Sequence, residues 1–113
     1  MTEIEIPFRA DMAKAILEGR KSCTSRTKQY GEPGDTFQVQ GMRLQLLRIE
    51  QHVLAYVSSY LYGAEGTNSP QEFEELWAEI HPRRGFIEDE AVFTHFFEPV
   101  DELERKYGDI EVI

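Results

Sequence analysis

Between Gly19 and Asp35 the chain reads GRKSCTSRTKQYGEPGD. Arg20, Lys21, Arg26 and Lys28 fall within nine positions, and no acid lies between Glu18 and Glu32. Hydroxyls stand among the cations at Ser22, Thr24, Ser25 and Thr27. Such a segment attracts an anion or a phosphate within a Debye length of about 8 Å. Cys23 sits in its middle, but no histidine is near it in sequence to act as a base, so it reads as a small buried thiol. His52, His81 and His95 are scattered without metal-ligand spacing, so no metal and no cofactor is expected. Tyr30, Tyr56, Tyr60, Tyr62 and Phe86 could give base-stacking platforms near a cleft.

The rest of the chain is of the opposite sign. The formal charge is -9 over 113 residues. Residues 1–50 hold eight Lys/Arg against seven Asp/Glu, whereas residues 51–113 hold four against fourteen. An acidic surface repels nucleic acid overall, which argues against non-specific coating of DNA and favours a small ligand or an RNA end. The length fits one domain, 1–113, with a modest core and a charged tail from about residue 101. No apolar run approaches the roughly 20 residues of a membrane span. The first residues lack the basic and apolar regions of a secretory signal, and the single cysteine cannot form an internal disulfide. A cytoplasmic location without membrane partners is expected.

The elements that must position the basic segment follow from periodicity. EIEIPF, residues 3–8, alternates and predicts a strand. Residues 10–18 predict a helix with Met12 and Ile16 on one stripe and Gly19 as its cap. Residues 22–27 predict a strand, and Pro33-Gly34 suits the centre of a type II turn. TFQVQ and MRLQLLRIEQHV predict further strands, the second bulged near Leu47 where its alternation changes parity. Residues 54–62 predict a short helix with Leu54, Val57 and Leu61 inward. Ser69-Pro70-Gln71-Glu72 is a capping box for a helix burying Phe73, Leu76, Trp77 and Ile80. Residues 91–100 predict a strand with Ala91, Phe93, His95 and Phe97 on one face. Strands with inserted helices indicate a mixed, mostly antiparallel α+β barrel.

GRKSCTSRT after a helix, then GEPGDTFQV, AEGTNSPQEFEELWAEIHPRRGF and VFTHFF, together resemble an ASCH domain, a family of PUA-like β-barrels. The likeness runs from about Pro7 to Glu98. Its most specific parts are the G-[RK]-K-x-x-T-x-R signature at 19–26 and the segment at 65–82. It implies a PUA-like mixed, mostly antiparallel β-barrel with two to three inserted helices. It also implies binding of RNA or a modified nucleoside in a cationic cleft. Some small ASCH proteins are amidohydrolases that deacylate N4-acetylcytidine with a Lys, a Thr and a Glu. Carried over, these are Lys21, Thr24 and Glu65, with Arg20, Arg26 and Tyr30 as ligand-binding candidates.

The implied chemistry is coherent. A threonine hydroxyl needs a base beside it to act as a nucleophile. Lys21, with Arg20 and Arg26 nearby, would have its ammonium form disfavoured and could accept the Thr24 proton. Glu65 could protonate the leaving nitrogen, and Arg26 or a backbone N–H could hold the oxyanion. In a flat strand Lys21 and Thr24 would face opposite sides, so they converge only if Lys21 precedes the strand or a bulge intervenes. The other readings are a non-catalytic RNA-binding module and a ribonuclease acting on single-stranded RNA.

Overall fold

The computed structural model describes residues 2–107. Its centre is a curled, four-stranded antiparallel sheet, a half-barrel with helices around it, in which the strands Cys23–Arg26, Ala91–Pro99, Met42–Val53 and Thr36–Val39 lie side by side in that order. The elements follow as α1 (Ala10–Leu17), β1 (Cys23–Arg26), β2 (Thr36–Val39), β3 (Met42–Val53) and α2 (Leu54–Tyr56). A π-helical turn (Val57–Leu61), α3 (Pro70–Ile80), β4 (Ala91–Pro99) and α4 (Val100–Tyr107) complete the order. The charged tail therefore begins as a helix, and residues 108–113 lie outside the described residues. No described helix is long and apolar enough to cross a membrane.

Local chemistry accounts for most of these elements. Gly34 has φ +96° and the Asp35 N–H donates to the Glu32 carbonyl, which closes the turn that Pro33-Gly34 predicts. The β3–β4 register shifts between Leu46 and Arg48, so Leu47 is the bulged residue and faces outward. Ser69 caps α3 by accepting from the Glu72 N–H, with Pro70 in the first turn.

Two expectations are corrected. The strand over residues 3–8 is reduced to a single parallel bridge, Glu3 with Thr36. Only the Ile4 N–H and the Thr2 carbonyl pair with Thr36 there, β2 is four residues long, and Pro7 has no N–H to continue a ladder. Ile6 is nevertheless buried. Second, the helix after Val53 widens into a π-helix at Val57, although Leu54 and Val57 are fully buried as expected. On β4 both faces carry buried residues. Ala91 is exposed, while Val92 and Thr94 are as deeply buried as His95 and Phe97, because Phe97 packs into one core cluster and Val92, of the opposite parity, into another.

Two clusters form the core. Ile6, Ala13, Ile16, Phe37, Val39, Leu44, Leu46 and Phe97 pack α1 against the sheet. Leu54, Val57, Phe73, Trp77 and Val92 pack α3 and the π-helix against the other end of β4. In α3 only Phe73 and Trp77 are buried; Leu76 is half-buried and Ile80 is 46% exposed. The apolar stripe of α3 thus splits between core and surface. Trp77→Ala should cost about 3–5 kcal/mol in urea denaturation, as expected for a buried indole. Ile80→Ala should cost under about 1 kcal/mol.

Candidate functional site

A cavity of about 500 Å³ opens between β1, the start of α1 and α3. Its floor carries Lys21, Thr24, Ser25 and Glu65. One wall is cationic and aromatic, with Phe8, Arg26, Lys28 and Tyr30; the other is the half-buried face of α3, with Leu76, Trp77 and Ile80. Arg9, at the N-cap of α1, reaches Glu79 of α3 at 3.6 Å. The π-helix is tied to α3 by Ser58, whose hydroxyl donates to Glu74 at 2.6 Å.

Backbone pairing brings Glu65 to Lys21 across 44 positions of sequence. Lys21 and Glu65 form an isolated antiparallel bridge, and the Ser22 and Cys23 N–H groups both donate to the Ala64 carbonyl. Gly66, next to Glu65, has φ +95°, and a side chain there would meet Lys21 Cβ at 3.2 Å and Ala15 Cβ at 3.3 Å. Glycine is what lets the two segments approach so closely. The Lys21 ammonium then donates to the Glu65 carbonyl at 2.8 Å and to Glu65 Oε1 at 3.2 Å. The two side chains are only 4% and 5% exposed.

The second carboxylate oxygen is also engaged. Ser25 Oγ donates to Glu65 Oε2 at 2.6 Å, and Ser25 and Thr94 hydroxyls lie 2.8 Å apart. The Cys23 thiol is 3.7 Å from the same oxygen. Burial, followed by the negative charge of Glu65, pushes that thiol far above its ordinary range, so it is no thiolate nucleophile at neutral pH. On the cationic wall, Arg26 donates to Thr24 Oγ1 at 3.0 Å and to the Pro7 carbonyl at 2.6 Å. Its guanidinium also sits 5.0 Å from the Phe8 ring centre and 5.5 Å from that of Tyr30.

His95 is fully buried beneath this wall. Its Nε2 accepts from the Tyr30 N–H at 2.9 Å, and its Nδ1 lies 3.1 Å from the Thr24 carbonyl. An N–H donor on one side and a carbonyl acceptor on the other fix the neutral Nδ1–H tautomer. Burial lowers the pKa of His95 from its usual 6.5. Trp77 Nε1 is, among the described residues, the buried side-chain donor with no acceptor, although Trp77 lines the cavity.

No family profile matches this chain, and no curated protein matches it. Solved structures do. An ASCH domain from Lactobacillus crispatus superposes with a TM-score of 0.60 at 14% identity, covering 88% of this chain and 79% of that one. A protein from Enterococcus faecalis gives 0.60 at 19% identity, over 88% and 78%. ASCH from Zymomonas mobilis gives 0.58 at 17% identity, over 96% and 81%. The chain has the ASCH fold.

Within this ASCH fold the sequence-based candidates are sorted by position. Lys21, Thr24, Glu65, Arg26 and Tyr30 line one cavity. Lys21 precedes β1, which resolves the parity conflict with Thr24. Arg20 does not join them: it is exposed and bonded to Glu18 at 2.7 Å. The charge bonded to Lys21 is the Glu65 carboxylate, and Arg20, held by Glu18, does not crowd it. Ser25, Thr94, His95 and Trp77 are not among the sequence-based candidates. Ser25 lies inside the signature, but its role depends on Thr94, its partner across the β1–β4 ladder, which no local pattern reveals. Among the described residues no three His, Cys, Asp or Glu side chains come together as a metal set.

Two stability tests follow from this geometry. Removing one partner of a buried ion pair strands the other, at about 3–5 kcal/mol. Lys21→Met should therefore be destabilised by roughly that amount. The Lys21→Met/Glu65→Leu double variant should lose less than the sum of the singles in urea denaturation. For His95, the folded pKa lies below the unfolded one, so its contribution is complete above the unfolded value of about 6.5 and is lost as pH falls below it. Thermal midpoints should decline as pH falls below about 6.5, and a His95→Gln variant should show a flatter profile there.

Proposed function

We propose that this chain is an ASCH-domain protein that binds RNA or a modified nucleoside in its cationic cleft and hydrolyses the acyl amide of N4-acetylcytidine-like nucleosides. The observation that carries this reading is the meeting of Lys21, Thr24 and Glu65 at one cavity, with Lys21 Nζ 3.2 Å from Glu65 Oε1. The cavity is within the usual size range of small-molecule sites, about 300–1,000 Å³. Lys28 and Arg26 offer charge to a nucleoside's oxygens, and Tyr30 offers a ring to its base.

Passage of one proton from Lys21 to Glu65 within the pair gives a neutral amine. The Thr24 oxygen bonds to the acyl carbon while its proton goes to Lys21. Arg26, already donating to Thr24 Oγ1, is placed to steady negative charge on the oxygens of the tetrahedral intermediate. The proton on Glu65 goes to the cytidine nitrogen as the C–N bond breaks. Water then cleaves the threonyl ester, releasing the carboxylic acid and restoring the hydroxyl.

Binding of RNA without turnover draws support from a different place. His52 and Tyr56 stack at 4.4 Å, Tyr56 and Tyr60 lie 5.0 Å apart, and Tyr60 is 73% exposed. Acetylcytidine turnover, single-stranded RNA cleavage and binding alone separate the three readings. For the amidohydrolase, Lys21→Ala and Thr24→Ala should each abolish nearly all turnover, and the double variant should be little worse. Glu65→Gln should lower kcat more than affinity, and Cys23→Ser should leave the rate intact, measured by chromatography of the released cytidine. Full activity in Thr24→Ala would mean that the nucleophile lies elsewhere.

A further inference from the structure

The hydroxyl pair behind Glu65 has a direction that follows from counting protons. Ser25 carries one hydroxyl proton, and its Oγ is 2.6 Å from Glu65 Oε2. The carboxylate of the ion pair can only accept, so that proton is committed to it. The 2.8 Å contact between Ser25 and Thr94 must then be donated by Thr94. Both residues are almost wholly buried, with Thr94 at 0% exposure, so water does not take over either bond. The order is Thr94 to Ser25 to Glu65 Oε2, while Oε1 receives Lys21.

This chain controls how Lys21 can be used. An ammonium has three N–H bonds. Among the described residues two of them are taken, by the Glu65 carbonyl and by Oε1. A carboxylate free to turn would offer Lys21 both oxygens and take the third. The short bond from Ser25 holds Oε2 on the other side and keeps one Lys21 N–H for the cavity. We infer that Ser25, itself oriented by Thr94, is a positioning residue that sets the rotation of the Glu65 carboxylate and so leaves Lys21 able to exchange a proton with a ligand or with Thr24. This rests on the functional reading above for its kinetic consequence, but the carboxylate orientation can be read without it.

The test compares Ser25→Ala, Thr94→Val and Thr94→Ser with the parent, using N4-acetylcytidine as the probe and crystal structures of the parent and Ser25→Ala. Loss of an outer partner that orients a metal ligand costs about 10–100-fold in activity, and an orienting hydroxyl behind a working carboxylate is expected to matter on that order. Ser25→Ala should lose about that in kcat with KM held within about threefold, since only proton handling is disturbed. Thr94→Val should show a smaller loss in the same parameter, and Thr94→Ser, which keeps the donor, should return to the parent rate. In the Ser25→Ala structure the carboxylate should turn until both oxygens face Lys21. Parent kcat in Ser25→Ala, an unturned carboxylate, or equal losses in Thr94→Val and Thr94→Ser would overturn the inference. A parent that turns over no acylated cytidine would instead overturn the functional reading, and the two crystal structures would still decide the orientation of Glu65.

Discussion

A lysine and a glutamate, both nearly inaccessible to solvent, face each other at 3.2 Å in the floor of the cavity. Withdrawing two charges from water costs several kcal/mol per ion, and their mutual attraction recovers this only with good geometry and further hydrogen bonds. The neighbourhood supplies those bonds. The Glu65 carbonyl takes a second Lys21 N–H, Ser25 satisfies the far carboxylate oxygen, and Thr94 supports Ser25. Apolar residues of similar size could fill such a site without any of this apparatus. The pair is therefore a weak source of net stability, and its retention in the cavity floor calls for another explanation than stability.

Much of the surrounding architecture serves to hold that pair closed. Gly66 permits the close approach of the Glu65 loop, and the Ala64 carbonyl receives two N–H groups from the start of β1. The π-helix leads directly into this loop and is fastened to α3 through Ser58 and Glu74. Wider turns of this kind often occur at functional sites, where a regular helix would aim the following residues differently. α3 divides its apolar stripe between the core and the cavity wall, which is why the buried Trp77 and the exposed Ile80 belong to the same helix face.

The basic segment within an acidic chain also finds its place here. Its four cations do not act as one patch. Arg20 is neutralised by Glu18 at the surface, Lys21 turns inward to Glu65, and Arg26 and Lys28 line the aromatic wall beside Tyr30. His95 braces that wall as a neutral ring, joining the Tyr30 N–H to the Thr24 carbonyl. A protonated ring would lose the first of these bonds, so the wall's integrity is linked to keeping His95 uncharged.

Local chemistry settled a good part of this protein from its sequence. The capped α3, the turn at Pro33-Gly34, the bulge at Leu47 and the α1 stripe each follow from forces acting over a few residues: a cap, a left-handed glycine, a change of parity. Lys21, Thr24 and Arg26 were marked differently, by the resemblance of residues 19–26 to the ASCH signature. Three things needed the tertiary structure. Whether residues 3–8 form a full strand depends on how long an edge β2 presents. Which way Arg20 turns depends on competition between Glu18 and the cavity. That Ser25 and Thr94 work on Glu65 depends on the register of β1 against β4 and on a loop folded back over 40 residues of chain. Hydrogen bonds at such separations have no trace in periodicity or composition, because they are set only once the sheet has paired.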